Sequence, residues 1–126
     1  MVLGMHTIWC QTSDMDRSVA FYRDTLGMKT KSVSAWWTEF DLGNGTLALH
    51  PGLNGNPQPY GKVGSGWYMG IQVDDVKALK ATLLGQGFVI ADDFHDVPSG
   101  VVLTFADPDG NPIQAIQLGV KAADLQ

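Results

Sequence analysis

Within the stretch SDMDRSVAFYRDTLGMK, from Ser13 to Lys29, the apolar residues Met15, Val19, Tyr22 and Leu26 recur at helical spacing. That periodicity predicts a short amphipathic helix. Ser13 or Asp14 can open it by accepting a hydrogen bond from an orphan backbone N–H, acidic residues favour the positive end, and Gly27 stops it. A weaker echo runs from Asp74 to Phe88, DDVKALKATLLGQGF. There Asp74 or Asp75 opens a helix whose stripe is Val76, Leu79, Leu83 and Leu84, closed by Gly85 and Gly87. Each helix follows a strand-like run, Thr7 to Thr12 before the first and Tyr68 to Val73 before the second. The chain reads as one motif written twice.

Beyond the first helix, Lys29 to Ser34 and Ala35 to Leu42 are β-prone, Asn44-Gly45 suits a tight hairpin turn, and Thr46 to His50 is the returning strand. The stretch PGLNGNPQPYGKVGSG, Pro51 to Gly66, is crowded with Gly, Pro and Asn and predicts the loop joining the halves. In the second half Phe88 to Ala91 is strand-like and ADDFHDVPSG reads as a connection. Val101 to Ala106 is a strand, ADPDGNP a turn, and Ile113 to Leu118 the last strand. Both halves are therefore β-α-β-β-β, and the tail from Gly119 to Gln126 carries no pattern. Setting Asp14 over Asp75 places Thr7 over Tyr68; setting Asp41 over Asp107 places Ala48 over Gln114.

Alternation decides which side chains share a face. Ile8, Cys10 and Thr12 should pack under the first helix, leaving Thr7, Trp9 and Gln11 opposite. Likewise Met69, Ile71 and Val73 should lie under the second helix, with Tyr68, Gly70 and Gln72 opposite. The expected fold is α+β: two tandem βαβββ modules forming a curved sheet with an open cleft and helices on the outer face. The cleft would be lined by Thr7, Trp9, Gln11, Ala48, His50, Tyr68, Gly70, Gln72 and Gln114, with Trp37, Glu39, Val102 and Thr104 less firmly placed. Module 1 covers about residues 5–50, the linker 51–66, module 2 about 67–118 and the tail 119–126.

Composition narrows the function classes. The chain has 126 residues, 44% hydrophobic and 17% charged, which suits one packed domain. A net charge of −5 without a basic stripe argues against nucleic acid. The single cysteine, Cys10, cannot form an internal disulfide, and the bland reading of a small buried thiol suffices. No run of eighteen apolar residues occurs and the N-terminus lacks a signal-peptide pattern, so no membrane partner is expected and the default compartment is the cytoplasm. The glycine-rich segments lack the context of a phosphate loop, and ADPDGNP lacks the closing Glu of a calcium loop.

The residues SDMDRSVAFYRDTLGM, VDDVKAL and FADPDGNPIQAIQ, in that order, resemble the vicinal oxygen chelate superfamily of glyoxalase I, extradiol dioxygenases, fosfomycin-modifying enzymes and bleomycin-resistance proteins. The resemblance covers nearly the whole chain. It implies two βαβββ modules around a cleft, usually in a homodimer. In the family's enzymes it also implies a divalent metal held by His, Glu or Gln from each module's first and last strands. Those positions here are Thr7, Ala48, Tyr68 and Gln114. Ala48 has no donor, the oxygens of Thr7 and neutral Tyr68 are weak, and Gln114 offers an amide. No metal or other cofactor is therefore expected.

The histidines and aromatic residues need weighing. His6 is one residue from the expected position, and a one-residue step turns a side chain to the other face of a strand. His50 has the parity to face the cleft; it is either a strand-end histidine or a polar contact or general base. His95 belongs to a polar loop and is solvated. Trp36 should lie under a helix or in a subunit contact, whereas Trp9, Tyr68 and Trp37 could supply flat walls among the amides of Gln11, Gln72 and Gln114. Glu39 either pairs with a cationic ligand group or is a surface carboxylate.

The reading favoured is metal-independent binding of a small aromatic or amphipathic organic molecule, a bleomycin-resistance-like sequestration. Its ligand-binding residues are Thr7, Trp9, Gln11, Trp37, Glu39, Ala48, His50, Tyr68, Gln72, Thr104 and Gln114. One rival is a metal-dependent glyoxalase-type lyase, isomerase or dioxygenase with a rearranged ligand set including His6 or His50. Another is metal-free catalysis with His50 and Tyr68 as the catalytic candidates. A third is a regulatory subunit whose tryptophans fill its own cleft.

Overall fold

The structure, a computed structural model, describes residues 1, 3, 6–51 and 69–126. The chain forms two compact units, Met1–Gly66 with Pro108–Gly110, and Trp67–Asp107 with Asn111–Gln126. Each carries a four-stranded mixed sheet, and the fold is α+β with two tandem βαβββ modules.

In the first unit β1 (Ile8–Thr12) leads into α1 (Met15–Ala20), which widens into a π turn over Phe21–Thr25. Asp14 is the cap: its Oδ1 accepts from the Arg17 N–H at 3.0 Å. Gly27 ends the helical stretch at a positive φ of 73° that a side chain would strain. The sheet continues with β2 (Lys29–Ser32), β3 (Thr38–Asp41) and β4 (Thr46–Pro51), in the order β1-β4-β3-β2. β1 runs parallel to β4, pairing Trp9 with Ala48 and Gln11 with His50. Antiparallel β3 sets Glu39 against Ala48 and Phe40 against Leu47. The core beneath α1 contains Val19, Phe21, Tyr22, Phe40, Leu47 and Leu49, all buried.

In the second unit β5 (Met69–Gln72) precedes α2 (Val76–Gly85), capped by Asp75 Oδ1 on the Ala78 N–H at 2.9 Å. Gln117 Oε1 takes the Val76 N–H at 2.8 Å, so a second orphan donor of this helix is satisfied from the last strand. β6 (Ile90–Val97), β7 (Gly100–Ala106) and β8 (Pro112–Leu118) complete the order β5-β8-β7-β6. Val76, Leu83, Val101, Leu103, Phe105, Ile113 and Ala115 form its core. A 3₁₀ turn, Ala122–Leu125, gives the tail a structure its sequence did not announce.

Several expectations change. The segment read as the connection ADDFHDVPSG is mostly strand: β6 runs to Val97 and pairs with β7, so its acidic residues sit at a sheet edge, where charge costs nothing in burial. His95 is therefore in a strand, exposed and 3.8 Å from Asp92. Residues 33–37 are loop, and Trp36 is 73% exposed, not under a helix. Leu84 is exposed although it continues the apolar stripe of α2. Of the two glycines in the β3–β4 turn, Gly43 takes a positive φ and Gly45 does not, and the Leu42 N–H reaches the Gly45 carbonyl at 2.9 Å. Tyr68 and the segment 52–66 lie outside the described residues.

Two glycines make opposite predictions. A Cβ on Gly100 would stand 2.0 Å from the Gln117 carbonyl oxygen, whereas one on Gly85 meets nothing within 4 Å. Gly100→Ala must push β7 from β8 and should cost about 1–3 kcal/mol in urea unfolding. Gly85→Ala, at the end of α2, should be neutral or stabilise by up to about 1 kcal/mol.

Candidate functional site

The pairings that build the first sheet also decide what stands on its face away from α1. Trp9, Ala48 and Glu39 form one cross-strand row. Gln11 and His50 form the next, and Trp37 immediately precedes β3. Three rings meet there: Trp9 and Trp37 with centroids 6.1 Å apart, Trp9 and His50 at 5.7 Å, and Trp37 and His50 at 5.9 Å. Their planes are tilted by 55–67°, the range of direct edge-to-face contact. Rings this close touch one another, so the trio is a platform and not a cage with room at its centre. Ala48 is fully buried, while Trp9 remains 41% exposed.

Trp37 owes its position to two anchors. Ser34 Oγ accepts the Trp37 N–H at 3.0 Å and is 2.9 Å from the Trp37 carbonyl, closing the loop before β3. Trp37 Nε1 donates to Glu39 Oε1 at 2.8 Å. Glu39 thus points to the same side as Trp9, and its other oxygen lies 3.9 Å from Lys31 Nζ. Lys31 Nζ also donates to Thr46 Oγ1 at 3.1 Å. Ser34 and Lys31 were not singled out by sequence; the only signal for Ser34 is a hydroxyl three residues ahead of a tryptophan, a common turn pattern.

His50 is the unusual member. Its Nδ1 is buried and has no hydrogen-bond partner among the described residues. A buried polar atom left unmatched in this way costs free energy that the surrounding packing must offset.

Three of the positions at which the family resemblance expects metal ligands, Thr7, Ala48 and Gln114, are described, and none of them carries an imidazole or a carboxylate. Ala48 presents a methyl group, Thr7 Oγ1 is 2.7 Å from His6 Nδ1, and Gln114 Nε2 is 3.4 Å from Thr104 Oγ1. His6 and Thr7 precede β1, and His6 is exposed. Among the described residues no group of three or more His, Cys, Asp or Glu side chains could hold a metal ion. In the second unit Gly70, Gln114 and Thr104 form one row and Gln72, Ile116 and Val102 the next. Gln72 and Gln114 are exposed and Thr104 is buried. Gln11 is buried beside His50.

A family model described as the Glyoxalase/Bleomycin resistance protein/Dioxygenase superfamily matches residues 4–115. The chain belongs to this superfamily. Several solved structures share the superfamily's fold with it. TnmS3, an antibiotic binding protein from Streptomyces sp. CB03234, is 24% identical over 94% of this chain and 99% of its own, with a TM-score of 0.74. A lactoylglutathione lyase from Agrobacterium tumefaciens is 20% identical over 93% and 95%, with a TM-score of 0.69. A glyoxalase/dioxygenase from Nostoc punctiforme is 21% identical over 92% and 91%, with a TM-score of 0.74. No curated protein matches the chain. These structures of similar fold include a lactoylglutathione lyase and an antibiotic binding protein. Among the described residues, no helix is long and apolar enough to cross a membrane.

Proposed function

We propose that this superfamily member binds a small aromatic or amphipathic organic molecule without a metal, as a single domain, and acts by sequestration. One observation carries the reading: at the row where the resemblance expects an ion ligand, a fully buried Ala48 lies beside Trp9, in a platform with Trp37 and His50. Flat apolar surface beside a few polar atoms is what retains an organic ligand, whereas a divalent ion needs converging oxygen or nitrogen donors. Trp9 would supply the stacking face, and Gln11, Trp37 and His50 the surroundings. Tyr68, Gln72, Thr104 and Gln114 are the second module's candidates. The reading includes a homodimer in the cytoplasm. The antibiotic binding described for TnmS3 supports sequestration as a role this fold can take.

The test is tryptophan-fluorescence and calorimetric titration with planar tricyclic aromatics in buffer containing EDTA. Binding should persist in EDTA and weaken about tenfold or more in Trp9→Ala, as expected for losing one stacking contact. Binding or turnover that requires zinc, nickel, manganese or iron would overturn the reading in favour of a metal-dependent enzyme.

A further inference from the structure

The turn between β3 and β4 holds two neighbouring groups that can react with each other. Residues 41–45 are all exposed, and Asn44-Gly45 lies at their end. Asp41 Oδ1 accepts the Gly43 N–H at 2.8 Å and the Leu42 N–H reaches the Gly45 carbonyl at 2.9 Å, so the rest of the turn is pinned. Turn asparagines often tie their side chains to the backbone. Among the described residues no hydrogen bond holds the Asn44 side chain or the Gly45 N–H. A Cβ on Gly45 would meet nothing within 4 Å, so no neighbouring segment crowds this peptide.

We infer that Asn44-Gly45 is a site of spontaneous deamidation, a covalent change of charge for which asparagine has the right side chain. The Gly45 nitrogen gives its proton to hydroxide and attacks Asn44 Cγ. A C–N bond forms, closing a succinimide ring, and the side-chain nitrogen of Asn44 leaves as ammonia. Water then adds to either ring carbonyl and the ring C–N bond at that carbonyl breaks, giving aspartate or isoaspartate. Water enters, ammonia departs, and nothing is oxidised or reduced. Glycine suits the attacking position because it has no side chain to hinder approach. Both products carry a new carboxylate, and isoaspartate also lengthens the main chain by a methylene inside the turn that the Leu42–Gly45 bond closes.

Burial and bonding separate this pair from others of like sequence. Asp109-Gly110 could close the same ring with loss of water, but the Asp109 side chain is 3% exposed and its oxygens accept from Thr12, Ser13, Ser18 and Arg17. Asn111 is buried, donates to Asp107 Oδ2 at 2.7 Å and precedes Pro112, which has no N–H with which to attack. Asn44 is under neither restraint.

The test ages the full chain for several weeks in mildly alkaline buffer at body temperature, with peptide maps read by mass spectrometry. The peptide spanning Asn44 and Gly45 should convert to aspartate and isoaspartate at a rate approaching that of the same segment as a free synthetic peptide. The peptide containing Asp109 and Asn111 should stay unchanged while the chain is folded. In urea, where the contacts of Asp109 are lost, isoaspartate should form at Asp109-Gly110 as well. Gly45→Val should slow the reaction at Asn44 severalfold, because a branched side chain crowds the attacking nitrogen. That variant has the room to fold, since Gly45 has no left-handed φ and open space at its Cβ. Hydrogen exchange should show the Leu42 amide losing protection in the isoaspartate fraction. An Asn44 that stays intact in the folded chain while the free peptide converts, or isoaspartate that forms faster at Asp109 than at Asn44 in the folded chain, overturns the inference.

Discussion

Asp109→Ala is expected to destabilise the first unit by about 1–3 kcal/mol, in the range for leaving buried hydrogen-bonding groups without a partner. Asp109 sits in the turn between β7 and β8, yet it belongs to the unit that contains α1. Its side chain is 3% exposed. Its Oδ2 accepts from Thr12 Oγ1 at 2.9 Å and from Ser18 Oγ at 3.2 Å, and its Oδ1 from the Ser13 N–H at 3.2 Å and from the Ser13 hydroxyl. Arg17, half-exposed, completes the set at 3.2 Å. Alanine would remove the carboxylate that accepts from the buried Thr12 and Ser18 hydroxyls, leaving Thr12 Oγ1 its contacts with Ser18 Oγ and the Asp14 backbone, and would strip the N-terminal turn of α1 of an acceptor. Urea unfolding of the two proteins measures the difference.

The same carboxylate predicts a pH dependence. Burial pushes its pKa up, but the Ser13 and Thr12 hydroxyls, the Ser13 N–H and the Arg17 charge together outweigh burial and hold it below the ordinary value. A depressed folded-state pKa contributes stability that is complete above the unfolded value of about 3.9 and is lost as pH falls through the lower folded value. Asp109→Asn, which cannot ionise, should unfold with a shallower loss in that acid window. Equal acid slopes in the two proteins would contradict this account.

Phe40→Ala should be at least as damaging, at about 3–5 kcal/mol. The Phe40 ring is fully buried, stands 5.6 Å from Tyr22 and shares a row with Leu47, so its loss opens a cavity between α1 and the sheet. Phe40→Leu, which keeps most of the volume, should cost less than half as much in the same assay. A loss below about 1 kcal/mol for the alanine variant would mean that the core closes over the gap, and the packing described here would be wrong.

Much of the fold was legible because its determinants are local. Asp14 and Asp75 cap their helices because a short carboxylate beside the first turn can reach an N–H three residues on, and that depends on nothing remote. Alternation in β1 and β4 likewise puts Trp9 and His50 on one side and Thr12 and Leu49 on the other. The acidic β6 was unreadable as a strand because its identity rests on pairing with β7, and a polar edge strand has the composition of a loop. Leu84 misled in the opposite sense: apolar residues are not obliged to be inside, and only packing says which are.

The platform divides in the same way. Trp9, Ala48 and His50 were candidates from parity, but the directions of Trp37 and Glu39 stayed open until the Ser34 turn and the Nε1–carboxylate bond placed them. Asp109 passed for an ordinary turn residue. Its partners are more than ninety positions away.

The amino-acid order alone determined that the chain is a doubled βαβββ motif, where its helices begin, and which strand residues share a side, because each follows from interactions a few residues long. Tertiary structure alone decided that Glu39 is spoken for by Trp37 and Lys31, that His50 Nδ1 is buried with no hydrogen-bond partner among the described residues, and that Asp109 serves α1. Those facts depend on distances between segments remote in sequence, and periodicity carries no information about them.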